Sequence, residues 1–569
     1  MMLQSSRCLQ GFFLTWIALA WLGSIQVASA QQAEDCDPTA PRNAGRLCRS
    51  EVRTVIENAA KALDLPMVVA VADRVGNILA VFRKPNAPLT APGNFLREKV
   101  FFQGQEQDAI EVAVSLARTA AFFSNNQAPL SSRTIRFISG IHFPPGVLFT
   151  PNAALYGIEN TNRGCDFNTT FNAGKLVPRA KSFHALVSTE DLPCNNGDRR
   201  GCGLGVLTGK PDLFDSDSQA VNPGGIPLFK GNTVVGGIGV VGAFSGELAE
   251  FAAFVGAFCP PSAPGCPQPL GVLPVPAFFD VRERVFIDGI RLPFVAFEVP
   301  EVIKGKRPKG AQPGTAEGEF LLEARDGACF DETENGGVCR AAPEGYLIGP
   351  RAGQRLTQPE VEQIVQQSRD FADRTRAAIR FPRGSRTKMM IAVSDVDGSL
   401  LAVYRMPDAT VFSIDVSITK ARNVVFFSGL DPNVRFDLPG LPVGTAVTNR
   451  TISFGSQPLY PPGIDTSSEG PFFRSLYVRD TLSACTQGSQ QEHPEHQSGI
   501  VFFPGSLPLY KEGQVVGGLG ISGDGVEQDD YVTAGGAKGF EPPDTIRADQ
   551  FFVRGVRSAY LKFPRNPEK

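Results

Sequence analysis

A chain of 569 residues can bury at least two hydrophobic cores, so more than one domain is expected. Its 55 lysines and arginines against 58 aspartates and glutamates give a net charge of −3, which leaves no basic stripe for nucleic acid.

The first element in chain order reads as an export signal rather than as structure. Arg7 gives a positive start, and Gly11 to Ile25 form an apolar stretch shorter than the roughly 20 residues of a membrane helix. Ala28-Ser29-Ala30 then supplies the small residues that a signal peptidase requires before Gln31. The expected signal peptide therefore covers 1–30, and it holds both tryptophans, Trp16 and Trp21. No later segment reaches transmembrane length. A soluble protein without a membrane span, periplasmic or secreted, is expected.

Export sets the cysteine chemistry. Of 11 cysteines, all but Cys8 lie beyond the cleavage point, an even set in an oxidising compartment. Cys36/Cys48, Cys259/Cys266 and Cys329/Cys339 can each close a short loop. Cys165, Cys194, Cys202 and Cys485 are left to pair among themselves. No Cys-x-x-Cys occurs, which argues for disulfides over zinc.

Beyond the signal, the chain repeats itself. A helix over about 49–63 precedes a strand at Met67–Ala72, a turn at Asp73-Arg74-Val75-Gly76-Asn77 and a second strand. A helix over 358–378, a strand at Met389–Ser394 and a turn at Asp395-Val396-Asp397-Gly398-Ser399 restate that order. Helical spacing follows at 108–123 and 413–427, with Asp108 and Ser413 placed as caps. A second hairpin comes next, Ile226–Lys230 with Thr233–Val241 and Leu507–Lys511 with Gln514–Ser522, and then a short helix. Five blocks matching in one order mark an internal duplication. The first copy carries an extra loop holding Cys165, Cys194 and Cys202. Helix, hairpin, helix, hairpin, helix implies an α+β fold, an antiparallel sheet with packed helices, in two copies over 46–300 and 351–569, joined by a Gly- and Pro-rich connection over 301–350.

Few motifs carry chemistry. Gly237-Ile238-Gly239-Val240-Val241-Gly242 and Gly518-Leu519-Gly520-Ile521-Ser522-Gly523 fit G-x-G-x-x-G, but inside the second strand of a hairpin. A dinucleotide site needs that pattern at a strand-to-helix turn, whereas glycine within a strand admits a close neighbour. His493 and His496 have the H-x-x-H spacing of a metal or haem-iron pair, set in a polar loop. His142, after a strand, and His184, in the first copy's extra loop, are further candidates that could equally be surface histidines. Asp395, Asp397, Asp408 and Asp415 form a candidate cation site, with turn formation as the simpler role for the first two. No G-x-S-x-G, H-E-x-x-H, phosphate loop or C-x-x-C-H occurs, which argues against hydrolase, zinc-protease, nucleotide and covalent-haem chemistry.

These blocks resemble the GlcG/HbpS family, the haem-degrading or PduO-C-like domain, most closely in the second copy. Ala392-Val393-Ser394-Asp395 with Gly398 is similar to the family's first hairpin. Arg405-Met406-Pro407-Asp408-Ala409 is similar to its R-M-D-G-A element, and Ser413 to Arg422 to its long helix. Leu507-Pro508-Leu509, the Gly517–Gly523 strand and Val526-Glu527-Gln528-Asp529 complete the likeness, which covers about half of each copy. The first copy departs from it, with Asn86 for Asp408, Leu116 for Lys420 and Glu247-Leu248-Ala249-Glu250 at the last helix. The resemblance implies a profilin-like α/β domain, often a homo-oligomer, that binds haem, another tetrapyrrole or iron; it establishes no catalysis. A haem pocket needs apolar walls, cations at the propionates and an axial ligand. Arg405 and Lys420 are the candidate cations, Asp408 and Pro508 come with the resemblance, Phe502 is a candidate wall, and His493, His496 or Tyr460 the candidate ligand. Exported haem or iron binding is thus the expected function. An enzyme acting on a small organic molecule, and an interaction protein with decayed pockets, are its competitors.

Overall fold

The computed structural model describes residues 35–92, 106–138, 165, 181–194, 198, 200–203, 223–258, 286–287, 290–291, 294–303, 305–327, 342–457, 460–461, 467–482, 485–489 and 494–569. The expected signal peptide over 1–30, His142, His493, Cys259, Cys266, Cys329 and Cys339 lie outside them. No described helix is long and apolar enough to cross a membrane.

In the first copy, α1 (Arg49–Ala62) precedes β1 (Val68–Asp73) and β2 (Ile78–Arg83); α2 (Ala109–Phe123) leads on to β3 (Gly225–Lys230), β4 (Thr233–Val241) and α3 (Gly246–Ala257). Asp108 caps α2 as expected, its carboxylate accepting from the Ile110 and Glu111 amides. A later strand, β5 (Glu319–Leu322), closes the sheet in the order β3-β4-β1-β2-β5, antiparallel throughout. Alternation along β1 divides the core. Val69 and Val71 face α1 and α3, while Val68 and Ala70 face α2. Because both faces are covered, every residue of β1 is buried.

The second copy repeats the layers with β6 (Gly345–Ile348), α4 (Gln358–Arg374), β7 (Met390–Ser394), β8 (Leu400–Arg405), α5 (Ser413–Phe427), β9 (Ser506–Lys511), β10 (Gln514–Ser522) and α6 (Val526–Gly536). Its order is β9-β10-β7-β8-β6, that of the first sheet. Register agrees as well: Ala70 pairs with Gly239, and Ala392 with Gly520. The α+β reading, two antiparallel sheets with packed helices, therefore holds. Ser413 is not the cap of α5. Phe412 takes that position without a side-chain bond, and the Ser413 hydroxyl instead meets Thr410 at 2.7 Å.

The glycine-rich strands serve packing. A methyl group on Gly239 would lie 1.9 Å from the Ala113 carbonyl oxygen, and one on Gly520 would lie 2.0 Å from that of Ser417. Only glycine lets α2 and α5 sit this close to their sheets.

The connection over 301–350 is partly built into both sheets, since β5 and β6 both come from it. Phe320 pairs with Phe82 and Tyr346 with Tyr404. Beyond each strand an arginine amide donates to the neighbouring hairpin, Arg325 to Leu79 and Arg351 to Leu401, both at 3.1 Å. Glu319–Gly327 and Gly345–Gly353 thus take equivalent places in the two sheets, the first following the rest of its sheet in the chain and the second preceding it.

Residues Cys36–Lys569 form one unit. The Phe123 and Phe412 rings stack at 3.9 Å across the two copies, and the Val411 amide donates to the Phe122 carbonyl. Among the described residues, three disulfides join Cys36–Cys48, Cys194–Cys202 and Cys165–Cys485, the last crossing from the first copy's loop to the second copy. The four cysteines left over by sequence do pair among themselves.

Candidate functional site

The second copy's polar residues collect at two places. The first is the end of β8, where the chain turns into α5. Arg405 is buried, and its guanidinium donates to the carbonyls of Ala409, Ala342 (3.2 Å) and Pro343 (3.1 Å), with Glu344 3.8 Å away. Burial pulls this guanidinium below its usual range, and Glu344 opposes the shift. Asp408 holds a left-handed backbone with φ 62°, as Asn86 does in the first copy with φ 59°, a conformation Asp and Asn tolerate. Its carboxylate accepts from the Asn126 amide of the first copy at 3.0 Å and from Arg380 at 2.5 Å. Arg380 also pairs with the fully buried Asp524. This network fastens the copies together.

The second place lies between α5, β10 and α6. Lys420 is fully buried and donates to the Ile521 carbonyl at 2.6 Å and to Asp529 at 3.0 Å. Burial lowers the Lys420 ammonium and pushes the Asp529 carboxyl up to about 7, each opposed by the other. Arg450 and Asp530 form a second buried pair alongside.

The remaining candidates sit apart from these groups. Tyr460 is buried, its hydroxyl donating to the Val553 carbonyl at 3.3 Å, and burial raises it. Phe502 is a core residue set edge-on to Tyr477, and Pro508 lies in β9 opposite Gly518. His496 places Nδ1 2.8 Å from the Asp397 carbonyl. His184 lies on the surface of the first copy, 3.2 Å from Asp108. Asp395 accepts from the Val396 and Gln354 amides, and Asp397 from the Ser399 amide, so the turn role holds. Among the described residues, no group with metal-holding geometry includes His496 or any of Asp395, Asp397, Asp408 and Asp415.

The two cations expected at haem propionates are therefore enclosed by carbonyls and carboxylates, and the expected phenol ligand is hydrogen-bonded inside the core. The described residues do not assemble the expected pocket. The physical reason is burial: a charge removed from water needs a partner within the fold, and these have one. Sequence reasoning missed Arg380, Asp524, Arg450 and Asp530. Arg380 falls in a segment between α4 and β7 with no counterpart in the first copy. Arg450 and Asp530 left a usable signal, because Arg133 and Glu250 repeat the pair at 2.9 Å in the first copy.

Residues 367–538 match the family model of the haem degrading protein HbpS-like. That span runs from within α4 to just past α6, the body of the second copy. Among solved structures, the Klebsiella pneumoniae protein ORFY is 20% identical, covers 33% of this chain and 91% of its own, and has a TM-score of 0.21. The PduOC:heme complex is 18% identical, with 32% and 93% coverage and a TM-score of 0.20. A double mutant of Streptomyces reticuli HbpS is 16% identical, with 33% and 88% coverage and a TM-score of 0.20. No curated protein matches the chain. The HbpS-like span holds Arg405, Asp408, Lys420, Tyr460, Phe502, Pro508 and His496.

Proposed function

We propose that this chain is an exported, self-associating haem- or tetrapyrrole-binding protein, a tandem duplicate whose second copy is the HbpS-like domain. It is non-catalytic or weakly redox-active, and iron without a porphyrin is the runner-up ligand. The observation that supports the reading is the family match over 367–538. Arg405, Lys420 and Tyr460 do not fit the role of direct ligands, because each is engaged inside the fold. Haem would be held by other groups of the second copy, with His493 and His496 the candidates for iron.

That same engagement favours a second reading, in which the pockets have given way to structure and the chain serves as an interaction protein. A haemin titration of the oxidised, folded chain, followed at the Soret band, separates the two. The proposal predicts a saturable, stoichiometric shift that replacing His493 and His496 together removes. A saturable shift that survives the double replacement keeps haem and excludes these ligands. No saturable shift overturns the haem reading and leaves the interaction reading.

A further inference from the structure

We infer that the first copy carries a binding site for a small organic carboxylate, built by its disulfide-stapled loop. A cavity of about 440 Å³ lies against the β1–β2 turn, within the roughly 300–1,000 Å³ common to ligand pockets. Ile78 and Leu79 of the hairpin and Leu186 of the short helix Phe183–Val187 supply apolar wall, and Arg118, Lys181, Arg325 and Asp326 supply charge.

Three cations thus line the cavity beside one carboxylate, and that carboxylate is engaged. Asp326 accepts from the Arg49 amide at 2.8 Å and pairs with Arg46 at 3.5 Å. Arg118 is 3% exposed, and donates to the carbonyls of Gly76 at 2.9 Å and Lys181 at 3.0 Å. Arg325 donates to the Ile78 carbonyl at 3.1 Å. Carbonyl partners fix the planes of both guanidiniums, and a low-dielectric wall strengthens their charge toward an anion. Two nearby carboxylates offset part of that charge, Glu111 and Asp73 at Arg118 and Asp73 at Arg325, while also accepting backbone amides, Asp73 from Val75 and Asn77 and Glu111 from Phe183 at 2.7 Å; Lys181 lies 3.8 Å from the exposed Asp191. The chemistry that suits the cavity is a carboxylate on a short apolar body.

The second copy shows which parts are scaffold. Arg422 donates to Gly398 at 2.9 Å and Arg351 to Leu400 at 2.7 Å, so both arginines recur. Beside its turn sits His496, whose Cβ would be 3.1 Å from a methyl on Gly398, and Ala352 stands where the first copy has Asp326. The Lys181–Leu186 wall belongs to the first copy's extra loop. Lys181 bridges to Cys202, and the Cys194–Cys202 disulfide holds that segment. A ligand wall gives the insertion and its staple a purpose.

The proposal stands apart from haem binding, because its probe is octanoate and its site is in the other copy. Calorimetric titration of the oxidised full chain with octanoate should show one saturable site, with 1-octanol about tenfold weaker for want of the charge. Leu186→Glu at the rim and Lys181→Met, both at exposed positions, should each weaken octanoate about fivefold or more, while Arg351→Met in the second copy leaves it unchanged. No saturable octanoate binding, octanol binding as tight as octanoate, or an affinity that neither Leu186→Glu nor Lys181→Met moves would overturn it.

Discussion

At Lys420 the two copies solve one packing problem in different ways. The second copy buries Lys420 against Asp529, whereas the first has Leu116 and Ala249 at the matching positions, both buried and apolar. Breaking a buried pair strands one charge, while replacing both partners with apolar groups is often neutral. Lys420→Leu should therefore cost about 3–5 kcal/mol, and adding Asp529→Ala should recover most of it. Urea denaturation of the two variants checks this, and a double variant as unstable as the single one would count against the pairing. The pair also sets a pH dependence. Because burial raises the folded Asp529 carboxyl from 3.8 to about 7, the folded state keeps a proton that the unfolded chain releases. Its contribution is fully present below about 4 and is lost as pH rises toward 7. Burial raises Asp524, Asp530, Glu111 and Glu250 in the same direction. Melting temperature should fall between pH 5 and pH 8, with a shallower slope in Asp529→Asn; a rise over that window would contradict the burial account.

Between elements, helix-to-sheet distance rests on the strand glycines. Gly520→Ala places a methyl group 2.0 Å from the Ser417 carbonyl oxygen of α5, and no rotamer relieves a backbone clash. The expected cost is about 3 kcal/mol, seen as a lower urea midpoint; Gly513→Ala, with nothing near its Cβ, tests the φ 77° conformation of the turn alone. These elements were legible in the sequence, since hydrophobic alternation, turn residues and repetition are local signals. The fifth strands were not. Glu319–Leu322 and Gly345–Ile348 are short, and they repeat each other only 26 residues apart, on either side of the join. The polar site was legible as residue types and illegible as geometry: Arg405 and Lys420 look alike in sequence whether they face a ligand or a buried carboxylate. Asp108 and Asp395 were readable because capping and turn formation act over two or three residues.

Across the whole molecule, chain order and spatial order differ. The first sheet closes only with β5, which lies past residue 300, so a fragment of 36–300 lacks an edge strand beside β2, and one of 36–327 keeps it. The longer fragment should show a cooperative thermal transition and the shorter one should not; equal transitions would mean that β5 is dispensable. Cys165–Cys485 ties loops 320 residues apart and crosses the two copies. Replacing both cysteines with alanine should lower stability by about 2–5 kcal/mol, measured as a lower denaturant midpoint. The stacked Phe123 and Phe412 rings and the hydrogen bond from the Asn126 amide to Asp408 should still hold the copies together.

Haem binding by the second half of the chain is what we propose. Hydrogen exchange of the oxidised protein, with and without haemin, tests it most directly because it reports binding and location together. Slower exchange is expected within 367–538, with no slowing of comparable size in the first copy. Unchanged exchange throughout, or protection confined to residues before 328, would contradict it.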